Sequence, residues 1–196
     1  MFLKLALLKK VMKYKYIIIK SLIVLSILFI FSCSNNDDEK VKESIMYGGY
    51  DNLFLSKESF EKIGFKFNKD YNVENLPDAV SAVYGFWGLK SFDRLAYELR
   101  FYPSNKVAKE SGIFYAEEVT GSDAILKKSE ASWKEGIKDR SGTTFFGTIS
   151  PKYMDYVIFG NVIVLCPSEK SSAVSGVSDP ILNCSNMLNE VVKFID

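Results

Sequence analysis

Residues 156–166 read YVIFGNVIVLC. Two runs of β-branched and aromatic residues flank Gly160-Asn161. Glycine at the first central position suits a tight primed turn, so the stretch reads as an antiparallel hairpin. Both runs are almost continuously apolar, which places the hairpin in the middle of a sheet with at least one face covered. Extended to its polar margin, the hairpin runs over 153–166.

Outward from it, the flanks alternate irregularly between helical and strand patterns. Towards the C-terminus, Asp179-Pro180 caps a helix. Its Ile181, Cys184, Leu188, Val191 and Ile195 recur at three- and four-residue intervals as a buried stripe. Towards the N-terminus, Ser104 caps a helix with Val107, Ala108, Ser111, Tyr115 and Val119 at helical spacing, stopped by Gly121. Residues 94–102, RLAYELRFY, alternate as a strand with Leu95, Tyr97, Leu99 and Phe101 on one face. Leu76-Pro77-Asp78 predicts a helix carrying Ala79, Val80, Ala82, Val83 and Phe86. Ser56 caps a short helix through Ile63, ended by Gly64. The expected fold is α+β: a small antiparallel sheet that includes the 153–166 hairpin, with helices packed on one face. The alternation is too sparse for a doubly wound parallel sheet.

The first thirty residues follow different rules. Six lysines (Lys4, Lys9, Lys10, Lys13, Lys15 and Lys20) precede position 33, and no acid does. The uncharged run Ser21–Phe31, SLIVLSILFIF, has eleven residues. As a helix it spans about 16 Å, short of a hydrocarbon core of roughly 30 Å. A basic stretch, a short apolar stretch and a small residue at the boundary make the layout of a secretory signal; Met12 offers a second possible start for it. Ile30-Phe31-Ser32-Cys33 resembles the lipobox of bacterial lipoproteins, with Phe31 bulkier than that pattern usually carries. The resemblance covers only this segment. It implies cleavage before Cys33, a diacylglyceryl thioether on its sulfur and an acylated amino group. Two or three acyl chains give a stable anchor where one does not. The competing reading is an uncleaved membrane helix with Cys33 incidental. The expected domains are 1–32, a lipoprotein signal peptide; 33–46, the lipidated cysteine and a polar, flexible tether; and 47–196, a single α+β domain. Cys33 thus attaches the protein to a membrane on the extracytoplasmic side of a cell envelope. Ser34, rather than aspartate, after the cysteine favours the outer membrane in a Gram-negative cell.

From Cys33 onward, nineteen basic residues face twenty-four acidic ones, a net charge of −5. That is not the footprint of a nucleic-acid binder. The chain has no histidine. Ser-His-Asp and Cys-His catalysis and histidine-containing metal sites are therefore excluded. No metal or other cofactor motif is found. With Cys33 lipidated, Cys166 and Cys184 remain to pair in an oxidising compartment, closing a loop that ties the last helix to the hairpin. Ser59 and Lys62 have the S-x-x-K spacing, yet lie among charged residues as on a solvated helix face. Tyr84, Phe86 and Trp87 among glycines are candidate ligand contacts, by stacking on a sugar or an apolar ligand; the alternative is that they plug the core. Trp133 reads as half-buried packing beside a charged turn. Arg100 and Arg140 read as surface ion-pair partners, and Glu98, Asp93, Glu117 and Glu118 as the available carboxylates. No catalytic residue is assigned. The function expected is binding, with an unknown protein, an envelope component or a small ligand as partner. The alternative is a small periplasmic hydrolase using carboxylates or the Ser59–Lys62 pair.

Overall fold

A computed structural model of the chain describes residues 50–143, 149–168 and 179–195. The expected signal segment, the tether and Cys33 lie outside these residues. In chain order the elements are α1 (Lys57–Glu61), β1 (Lys66–Tyr71), β2 (Ser81–Trp87) and β3 (Leu95–Phe101). A helical run over 105–117 follows, here α2, in which a π-helical turn (Ala108–Gly112) interrupts the α-helix. Then come β4 (Ser141–Thr143), β5 (Ile149–Pro151), β6 (Tyr153–Phe159), β7 (Val162–Pro167) and α3 (Pro180–Val192). Five strands form one antiparallel sheet in the order β1-β2-β3-β7-β6; β4 and β5 pair separately.

The hairpin spans the residues the sequence gives it, but only its second strand lies mid-sheet. Phe159 pairs with Val162 across the two-residue turn, and Gly160 has φ 56°. A Cβ at Gly160 would lie 2.5 Å from the Leu53 carbonyl oxygen, so no other residue fits here without displacing the chain. Asn161 is buried and used in full. Its Oδ1 accepts from Leu55 N (2.6 Å), and its Nδ2 donates to Tyr102 O (2.8 Å) and Leu55 O (3.1 Å). One side chain thereby fastens the N-terminal segment to the sheet. Within the hairpin β7 is an interior strand, whereas β6 forms an edge.

Strand alternation sorts the core into two layers. Val162, Val164 and Cys166 face one way, with Leu95, Tyr97, Leu99 and Phe101 of β3 beside them. The expected helical cover lies on this face: Phe60 of α1 and Ile181, Cys184, Leu188 and Val191 of α3. Asp179 caps α3 by accepting from Ile181 N and Leu182 N. Ile195, expected on the stripe, falls beyond the helix end and is exposed. Ile163 and Leu165 face the other way, under a second layer made by α2 and the irregular chain that follows it. Helical cover therefore extends to both faces. Gly112 permits this close approach, because a Cβ there would stand 2.6 Å from the Tyr102 hydroxyl.

The expected helix from Ala79 through Phe86 is a strand. Leu76-Pro77-Asp78-Ala79 is a turn, with Ala79 N donating to Leu76 O and Asp78 at φ 56°. Proline at the second position and positive φ at the third are turn chemistry rather than a helix start. The residues after it are β-branched, aromatic or small, and two neighbouring strands pair with them, β3 residue for residue and β1 with one register shift between Phe67 and Lys69. Tertiary pairing overrode a weak helical spacing.

The cysteines expected to pair are bonded, Cys166 on β7 to Cys184 on α3, with their Cα atoms 5.5 Å apart. The bridge staples the terminal helix to the sheet. By the chain-entropy relation a loop of this size stabilises by about 3 kcal/mol. Replacing both cysteines with alanine should lower unfolding free energy by about that amount in urea titration; a midpoint unchanged from wild type would contradict the account.

Candidate functional site

The second face of the sheet carries charge where a core is expected to be apolar. Alternation along β3 puts Leu95, Tyr97, Leu99 and Phe101 on the first face, and therefore Glu98 and Arg100 on the second. Both are fully buried. Above them Gly136, at φ 69°, turns the chain into a 3-10 turn (Ile137–Arg140) that delivers Arg140, also fully buried. Glu98 accepts from Arg100 Nε (2.8 Å), Arg140 Nε (2.8 Å) and Arg140 Nη2 (3.0 Å). The Trp133 ring lies against both guanidiniums, 4.5 Å from that of Arg140 and 5.0 Å from that of Arg100. Its Nε1 donates to Asn72 O, and its ring meets Tyr71 edge-on.

A carboxylate taken out of water prefers to be protonated, and burial pushes Glu98 in that direction. Arg140 and then Arg100 outweigh the burial and hold it below its ordinary value. Glu98 is thus an ionised, three-times-bonded strut. A general acid or base needs a substrate within reach, and Glu98 is fully buried with both oxygens bonded to guanidiniums. Nearby Tyr153 is buried and well above its ordinary pKa, through burial first and the Glu98 carboxylate second. Asp139 accepts from Tyr71 Oη (2.9 Å) and pairs with Lys69; these contacts outweigh its own burial and keep it below its ordinary value.

Arg100, Arg140 and Trp133 therefore differ from the expectation of surface ion pairs and a half-buried ring. The overlooked signal was opposite charges two apart on a strand whose other face is uniformly apolar and which pairs on both sides.

The three aromatic candidates are divided by strand geometry. Trp87 faces the first core layer, its Nε1 donating to Ile63 O (3.1 Å). Tyr84 and Phe86 share the opposite face and meet edge-to-face at 5.3 Å. The Tyr84 hydroxyl is 3.2 Å from Lys152 Nζ, which donates to it. Ser59 sits in the first helix with its Oγ accepting from Ser56 N (3.2 Å), so its hydroxyl caps the helix, while Lys62 is exposed at the helix end. Among the described residues, no group of three or more histidine, cysteine, aspartate or glutamate side chains is placed to hold a metal.

A groove of about 220 Å³ opens at the end of the sheet that carries the Gly160-Asn161 turn. Leu55, Phe101 and Tyr102 form its floor, and Phe54 and Val80 its rim. The rim residues are 68% and 64% exposed, a large apolar surface to leave in water. Periodicity did not single out Phe54 and placed Val80 on a helix expected from Ala79 through Phe86, whereas both lie in irregular segments.

Residues 56–193, from the first helix through the end of α3, match a family of unknown function, DUF6810. The chain belongs to that family. The DUF6810 match takes in the disulfide and the Glu98–Arg100–Arg140 cluster and starts inside the groove wall. No curated protein matches the chain, and no solved structure does.

Removing one member of a buried ion cluster strands the others, at a cost of about 3–5 kcal/mol. Glu98→Ala should destabilise this DUF6810 chain by that order in urea titration. The folded state keeps Glu98 ionised to lower pH than the unfolded chain does. Its contribution is therefore full above the ordinary value of 4.5 and fades as pH falls toward the depressed folded value. Between about pH 5 and 3, wild type should lose stability more steeply than Glu98→Gln. Parallel curves would show that Glu98 does not titrate as described.

Proposed function

We propose that the protein is a lipid-anchored domain of a bacterial cell envelope, held on the extracytoplasmic side by acyl chains on Cys33, and that it works by binding. The observation that carries the reading is the division of its three cysteines. Cys166 and Cys184 are joined to each other, as suits an oxidising compartment, and Cys33 stands alone in a lipobox-like setting. Among the described residues, no helix is long and apolar enough to cross a membrane. That observation leaves open how the protein is held, and acyl chains would supply the hold.

Binding is favoured over hydrolysis by the occupations of the candidate groups. Glu98 is locked between two guanidiniums, and the Ser59 hydroxyl is committed to its own helix. The groove beside Phe54 and Val80 is instead open and apolar, as binding surfaces are.

Labelled palmitate supplied to expressing cells should enter the wild-type protein and not Cys33→Ser. The wild type should partition with membranes, and the Cys33→Ser protein should lose that attachment. Equal labelling of both, or a wild-type chain that keeps residues 1–32 in mature envelopes, would overturn the anchor.

A further inference from the structure

We infer that the face around Phe54 and Val80 seats against the lipid bilayer, with these two side chains among the acyl chains. The inference rests on the anchor reading above and gives the anchored domain an orientation. Three observations lead to it. The groove and its exposed rim lie at one end of the sheet, beside the Gly160-Asn161 turn that bonds Leu55. Tyr50, the first described residue of the domain, stacks on Phe159 at that same end, with ring centroids 4.6 Å apart. Sixteen residues separate Cys33 from Tyr50. The chain from the anchor therefore enters the domain at this end, which is the end nearest Cys33 along the sequence.

The cations at the groove are matched, and the Glu58 carboxylate on its wall is hydrogen-bonded to Ser56. Lys57 pairs with Asp70, and Lys109 with Asp51. An anionic headgroup therefore has no unmatched cation here to recognise, and what remains to be buried is apolar surface. The occupant that fits is the hydrocarbon of a lipid layer, whatever its headgroup. The opposite end of the sheet supplies a control. The loop between β2 and β3 exposes Leu89 (75%) and Phe92 (62%), about 20 Å away along the strands. A domain seated on its groove end holds that loop away from the bilayer.

The test uses the full lipidated protein, reconstituted in phosphatidylcholine vesicles with and without bromine on the acyl chains. The native Trp87 and Trp133 are buried and give a constant background. Emission from Phe54→Trp should fall about twofold in the brominated vesicles, while Leu89→Trp is unchanged. If Phe54→Trp loses the wild-type denaturation midpoint, Val80→Trp reads the same face. Three outcomes overturn the inference: no quenching of the groove-end tryptophan in protein that floats with the vesicles, equal quenching at both positions, or burial of that tryptophan that grows with protein concentration without lipid, which would assign the groove to a second copy. Protein that carries no acyl chain and fails to float removes the anchor, and the inference with it. The flotation step separates that failure from the others.

Discussion

A carboxylate stays ionised inside a protein when positive charge or several hydrogen-bond donors offset its lost hydration, and Glu98 has two guanidiniums within hydrogen-bonding distance. One guanidinium comes from the same strand, and the other arrives from forty-two residues away. The second is what gives the cluster its structural weight. The chain between α2 and β4 has little regular structure of its own, and Arg140 fastens its end onto the middle of the sheet. Trp133, packed against both arginines and bonded to Asn72 O, ties the same segment to the far edge.

The first layer depends on ordinary apolar packing and the Cys166–Cys184 bridge. The second adds a buried ionic cluster, Glu98–Arg100–Arg140, to the apolar packing around Ile163 and Leu165. This asymmetry explains how an irregular segment can serve as a core wall. It also explains why charged residues deep in the protein need not be a reaction centre: every acceptor position of Glu98 that is paired is paired with a structural partner.

Where a local pattern and the tertiary context agreed, the sequence was enough. YVIFGNVIVLC carried its turn glycine, its pairing and its burial in eleven residues, and Asp179-Pro180 carried a cap that the structure uses. Cys166 and Cys184 followed from counting. The strand at 81–87 was misread as a helix because three- and four-residue spacings also occur by chance in a run apolar on both faces. Such a run belongs to an interior strand, and only the strands beside it decide the matter. Arg100 and Arg140 were misread because nothing within a few residues of Arg140 reveals its partner at position 98. The groove was invisible for a related reason: Phe54 and Val80 come together only when the Asn161 side chain draws the N-terminal segment onto the sheet.

Arg140 holds the end of the irregular 118–140 segment to a sheet that is otherwise complete. Hydrogen–deuterium exchange on Arg140→Met, read segment by segment, addresses this most directly. Amides over 118–140 should exchange much faster than in wild type, while those of the β6–β7 hairpin and α3 keep their protection. Uniform loss of protection across the domain, or none anywhere, would contradict the claim that one buried ion cluster holds that segment.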